Sequence, residues 1–234
     1  MTMPANKLLI LIALPLLIFN CLVISQNDID LNRWSRLIST GLIFILLIFQ
    51  KSYSKKILSI FILFLISDIF MFFYENVLFN AITFLVKISA YTLLTFVVVP
   101  ELKKIKTNLF QKILFVAILG LNLAMLVSLV EMVPEKFIYP YLDILFFADG
   151  MAMMAMVITA ISYSNRYASN PSFYYTAATL FVVFSDITSF IAYYLEFYEF
   201  FYADRVFYLL SLLALVKFAS LDRDHSAVTE LENI

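Results

Sequence analysis

Glycine is nearly missing from this chain, with three residues in 234. Phosphate-binding loops and nucleophile elbows need several closely spaced glycines, because the backbone there turns tightly against the ligand or the reacting serine, so those enzyme classes drop out. One cysteine, Cys21, excludes an intramolecular disulfide and a paired-cysteine metal site, and leaves the redox compartment open. The one histidine, His225, stands in the polar tail DRDHSAVTELENI, where it is solvated. No histidine is therefore expected as base or metal ligand. Charge is scarce as well: 14% of residues carry it, with a net charge of −1. That balance removes the case for nucleic-acid binding, and no stretch is polar enough to form a soluble domain.

What remains is apolar. The chain is 63% hydrophobic and 17% aromatic, with a mean hydropathy of +0.95, far above the roughly half-apolar usage of soluble domains. It reads as a polytopic membrane protein. Spans need about 20 apolar residues, and punctuation by charge, proline and asparagine gives eight of them, over 8–25, 36–50, 57–74, 77–99, 112–131, 139–163, 173–195 and 200–219. The expected fold is an all-α membrane bundle of eight transmembrane helices, one domain over 1–220, followed by a polar tail over 221–234. A signal peptide or a lipidated Cys21 is a weak reading of the first segment, because no small-residue cleavage pattern is present and Asn20 precedes the cysteine.

Lysine and arginine in the loops set orientation. With eight spans, one side carries Lys7, Lys51, Lys55, Lys56, Lys103, Lys104, Lys106, Lys112, Arg166, Lys217 and Arg223, and the other only Arg33, Arg36, Lys136 and Arg205. Both termini are expected in the cytoplasm. The tripeptide Ser-Asp-Ile recurs at an offset of 118 residues, at Ser67-Asp68-Ile69 and Ser185-Asp186-Ile187, and the same offset carries Lys87 onto Arg205. That spacing suggests two parallel four-helix repeats. A rise of about 1.5 Å per residue puts the two aspartates and the two cations at matching depths, past the midplane.

Carboxylates at that depth are costly and need a reason. One reading makes Asp68 with Lys87, and Asp186 with Arg205, structural ion pairs that fix helix register. The other makes them a reaction site or proton path. Asp149, in FFADGMAMMAM, is near mid-span and a candidate to join that site, whereas Asp143 is closer to the interface. The methionines at 151, 153, 154 and 156 read as adaptable packing.

The two Ser-Asp segments resemble the lysoplasmalogenase family of YhhN-like membrane proteins. AATLFVVFSDITSFIAYY, residues 177–194, is similar to the family's segment ending in Ser-Asp, and LFLISDIF, residues 63–70, to its earlier Gly-Asp segment, with Ser67 in place of glycine. Tyr208 falls where the family has a tyrosine in its final span. The family's Lys-Pro pair appears here as Arg36 and Leu37, its histidine as Ser89 and its glutamine as Ser211. The resemblance implies hydrolysis of the vinyl-ether bond of a lysoplasmalogen, releasing a fatty aldehyde and a glycerophospho-alcohol, without metal or other cofactor. Together with the depths above, it makes Asp68 and Asp186 the expected acid and base and Tyr208 a hydrogen-bond donor, with Lys87, Arg205 and Asp149 placed around them by depth; it implies a lipid or lysolipid substrate and residence in a bacterial plasma membrane. Two carboxyl groups suit the chemistry: the alkenyl carbon is protonated to an oxocarbenium ion, water adds, and the hemiacetal collapses, much as glycosidases pair an acid with a carboxylate. Cations beside both aspartates would spoil both as acids, so the mechanism needs an asymmetry, with Asp186 or Asp149 sharing a proton with Asp68. The alternative is a proton-coupled transporter or another non-enzymatic membrane protein.

Overall fold

The computed structural model describes residues 5–50, 53–102, 109–132 and 141–232. Each expected apolar segment forms one helix: α1 (Ala5–Ile24), α2 (Ile29–Gln50), α3 (Lys55–Phe70, continued by a 3-10 turn at Met71–Phe73), α4 (Val77–Leu102), α5 (Leu109–Met132), α6 (Leu142–Tyr167), α7 (Asn170–Tyr194) and α8 (Phe200–Glu232). No strand occurs among the described residues. Lys51, Lys103, Lys104, Lys106 and Lys136, and the side chains of Lys7, Lys112, Arg223 and His225, lie outside the described residues.

Five helices, α2, α3 with its turn, α4, α6 and α7, are long and apolar enough to cross a membrane. The described apolar stretches of α1 and α5, Leu11–Ile24 and Leu123–Met132, are shorter, and α8 carries Asp204, Arg205 and Lys217 within its apolar part. The expectation of eight spans is thus met in helix number and, for span length, in five helices. The expected tail from 221 onward continues α8 as helix as far as Glu232.

Helix α2 departs most from the sequence reading, starting at Ile29 where residue 36 was expected. Asp28 caps it: its Oδ1 accepts the backbone N–H of Asp30 at 2.9 Å and of Leu31 at 3.1 Å. Arg33 and Arg36, taken from the sequence as loop charges, therefore stand inside a helix, and both are buried. The helix is inside out. Asn32, Ser35, Arg36, Ser39, Thr40 and Ile43 form its buried stripe, while Leu31, Trp34, Ile38, Leu42, Ile45 and Phe49 are exposed at the same three-to-four-residue spacing. Such a face is stable against lipid and costly against water.

The helices α1, α2, α3, α4, α6, α7 and α8 form a closed circuit of packed neighbours, and α8 also packs on α2. Helix α5 packs mainly on α6 from outside this circuit. Shifting every helix by four in chain order carries the α4–α6 contact onto α8–α2, and both exist. Among the described residues the α1–α8 contact has no comparable α5–α4 counterpart. Local signals start the helices: Ser54 accepts the Ile57 N–H at α3, and Ser169 and Ser172 make a reciprocal capping box at α7, within which Pro171 sits in the first turn without losing a needed donor. Contacts among Arg33, Glu75 and Tyr193 bring the α1–α2, α3–α4 and α7–α8 connections to one end of the bundle. At the other end Tyr167 donates to the Glu101 carbonyl at 3.1 Å and Lys56 to the Phe96 carbonyl at 3.1 Å.

Candidate functional site

Asp68, near the end of α3, is held on both oxygens. Arg36 Nε donates to Oδ1 at 2.9 Å, and Thr40 Oγ1 and the Tyr208 hydroxyl donate to Oδ2 at 2.6 and 2.9 Å. The Arg36 guanidinium lies 3.7 Å from the centre of the Tyr208 ring, a cation–π contact that strengthens out of water. Its Nη1 reaches on to Asp204, at 3.2 and 3.3 Å from the two oxygens, and Ser185 Oγ donates to Asp204 Oδ1 at 2.5 Å. Arg205 Nη2 donates to the Asn32 carbonyl at 3.1 Å and to the Asn32 side-chain oxygen. Asp68 and Asp204 thus share Arg36, while Arg205 bonds to Asn32, in a network joining α2, α3, α7 and α8. An ion pair out of water is sustained by hydrogen bonds like these, which use its remaining lone pairs.

Asp186, on α7, has a separate set of partners from α4. Lys87 Nζ donates to Oδ1 at 2.7 Å and the Tyr91 hydroxyl donates to Oδ2. Asp149 of α6 is 4% exposed, and its Oδ1 has no hydrogen-bond partner among the described residues. Lys87, Asp149 and Asp186 line one cavity of about 60 Å³ together with Tyr74, Tyr193 and Tyr194. Towards the bundle end, the Tyr74 and Tyr194 hydroxyls are hydrogen-bonded at 2.7 Å, and Arg33 donates to Glu75 and Tyr193. Partial burial pushes the Glu75 carboxyl up, but hydrogen bonds from Arg33 and Tyr193 outweigh it and hold the group below the usual carboxylate range.

A second, apolar cavity of about 170 Å³ opens between α5, α6 and α7, lined by Leu119, Leu126, Met153, Met154, Val157 and Leu180 among others. Phe146, Met153, Asp186 and Phe190 line both cavities, so the apolar slot ends at the polar one. Gly150, the residue after Asp149, lines the slot, and a Cβ there would meet Leu126 Cδ1 at 2.5 Å. The absent side chain lets α5 and α6 approach.

The expected ion pairs are corrected by this geometry. Asp68 pairs with Arg36 instead of Lys87, and Asp186 pairs with Lys87 instead of Arg205. Depth along the helix brings Lys87 to an aspartate but misses Arg36 altogether; each residue also turns a helical side chain by about 100°, and that angle decides the partner. Asp68 and Asp186 share no hydrogen-bonding partner among the described residues, and Asp149 lies beside Asp186, not Asp68. Tyr208 is a hydrogen-bond donor, to Asp68. Sequence reasoning passes over Thr40, Tyr91, Asn32 and Asp204, gives Ser185 no role beyond the repeated tripeptide, and takes Arg36 as a loop charge and a departure from a motif. The polar stripe in NRWSRLIST, at helical spacing, was the available signal for α2; Asp204 beside Arg205 was the signal for α8. No group of three His, Cys, Asp or Glu side chains that would hold a metal occurs among the described residues. The chain matches no family model, no curated protein and no solved structure.

Proposed function

We propose that this protein is a membrane-embedded hydrolase of single-chain, ether-linked lipids of the lysoplasmalogen type. The observation that carries the reading is the junction of the two cavities: an apolar slot between α5, α6 and α7 ends on Asp186, which shares a polar cavity with Asp149 and Lys87. A hydrocarbon chain fits the first and a reacting ether bond the second. Asp149 supplies the proton to the alkenyl carbon. Asp186, ion-paired to Lys87 and bonded by Tyr91, faces the oxocarbenium ion with negative charge and orients the water that adds to it. The hemiacetal then collapses to aldehyde and glycerophospho-alcohol. Asp68, whose oxygens Arg36, Thr40 and Tyr208 already engage, anchors the helices, so Asp149 serves better than Asp68 as the partner of Asp186.

All eight helices cross the membrane in this reading, as two parallel four-helix repeats with both termini cytoplasmic, in a bacterial plasma membrane. The burial of Arg33, Arg36 and Arg205 within helices supports the orientation. Three of the four basic residues on the sparsely charged side thereby leave the loop count, which sharpens the positive-inside bias.

The test is release of aldehyde by purified protein in detergent. A hydrolase turns over a vinyl-ether lysolipid there without metal or nucleotide, whereas a transporter has no compartments to work between. Asp186→Asn and Asp149→Asn should each lower turnover by about 100-fold or more, while Asp68→Asn should keep turnover in proportion to the folded fraction. Persistence of hydrolysis in both of the first two variants sinks the assigned pair. Absence of turnover on vinyl-ether, alkyl-ether and ester lysolipids, together with proton flux in liposomes, would assign the protein as a transporter.

A further inference from the structure

The Arg36 network has a feature that the proposed chemistry does not use. Arg205 is 1% exposed, yet it makes no ion pair with any described residue, because Asp204 is taken by Arg36 and Ser185. Its only hydrogen bonds to described residues run from Nη2 to Asn32. Nε and Nη1 of Arg205, and Nε of Arg33, are buried donors without a partner among the described residues. Arg33, Arg36 and Arg205 all line one small cavity of about 20 Å³ at the end of the bundle that holds the α1–α2 connection, with Asn32, Tyr193 and Asp204 also in its wall. That cavity is separate from the slot and contains neither Asp149 nor Asp186 in its lining.

Donor valence selects the occupant. One N–H on Arg33 Nε, one on Arg205 Nε and two on Arg205 Nη1 need acceptors. A water offers two lone pairs and brings two hydrogens into a wall already rich in donors. A spherical anion accepts four N–H groups at once and carries the charge that the unpaired guanidinium lacks. Size then selects the class: about 20 Å³ holds a species close to a water in size, too small for phosphate, sulfate or a carboxylate-bearing metabolite. We infer that Arg33, Arg36 and Arg205 form a binding site for a monovalent halide, chloride under ordinary conditions, which acts as the counter-ion of Arg205 and ties α2 to α8.

The experiment is thermal unfolding of the full-length protein in detergent at constant ionic strength, as chloride or bromide replaces gluconate. The expected result is a melting temperature that rises by several degrees along a saturable curve, as ligand linkage requires, and that stays flat in Arg205→Gln. Arg33→Lys keeps the charge but loses the Nε–H donor, and should move the midpoint to higher halide. Crystals grown in bromide should show anomalous density between Arg33 and Arg205, which covers the case in which Arg205→Gln does not fold. A flat or unsaturable response in the unmodified protein, the same rise in Arg205→Gln, or a water without anomalous signal at the site would each overturn the inference.

Discussion

Asp68 and Arg36 are each one end of several bonds, so their energetic coupling is measurable and specific. Removing one member of a buried ion pair costs about 3–5 kcal/mol, because the other charge is stranded; Asp204 still faces Arg36, which places Asp68→Asn at about 3 kcal/mol. In a double-mutant cycle by chemical unfolding in detergent, Asp68→Asn with Arg36→Met should fall short of additivity by about 1–3 kcal/mol, while Asp68→Asn with Lys87→Met should add within about 0.5 kcal/mol. Coupling to Lys87 instead would restore the pairing expected from depth alone. Glu75 supplies the pH dependence. Its carboxyl is lower in the folded than in the unfolded protein, so its contribution is fully present above the ordinary glutamate value and is lost as pH falls through the folded one. The melting difference between the unmodified protein and Glu75→Gln should therefore be constant near neutrality and close below about pH 4. A difference that widens on acidification would contradict the Arg33–Glu75–Tyr193 contacts.

At the scale of elements, the decisive contact is that of α5 on α6 at Gly150. Alanine there gains up to about 1 kcal/mol of helix propensity and loses about 1–3 kcal/mol to crowding. The clash is with the far end of Leu126, which rotates away cheaply, so the two effects should nearly cancel in stability. The displaced Leu126 fills part of the slot instead. Gly150→Ala should accordingly keep its melting temperature and shift turnover towards shorter hydrocarbon chains, read from a chain-length series; an unchanged profile would remove the slot from the site. Helix number was legible in the sequence because apolar runs broken by charge need no knowledge of neighbours. The start of α2 was not: Arg33 and Arg36 look like loop charges until Asp30, Glu75, Asp68 and Asp204 are known to meet them. Asp186 and Lys87 were both legible as candidates, and their mutual pairing was not, since it depends on how α4 and α7 are rotated.

At the scale of the whole molecule, each half of the chain completes the other. Asp68 of α3 receives its tyrosine from α8, and Asp186 of α7 receives Tyr91 and Lys87 from α4. The partners from the preceding region differ: α2 brings Arg36 to Asp68, whereas α6 brings Asp149 to the cavity of Asp186. One position is thereby saturated with hydrogen bonds, and the other opens on a cavity. If the halves are expressed separately, split between α4 and α5, neither should be stable alone, and co-expression should yield a complex that survives detergent purification. A stable, monomeric first half would contradict the crosswise bonding. The same bonds have an order in time. Arg36 precedes Asp68 and Asp204 along the chain, and Lys87 precedes Asp186 by 99 residues, a wait of about 5–20 s at ordinary rates of synthesis. Lysine and arginine tolerate such a wait, since their long side chains reach back to the headgroups. Aspartate, with its charge one carbon from the backbone, does not. Every buried aspartate that takes part in these pairs is thus delivered by the ribosome into a bilayer where its cation is already present.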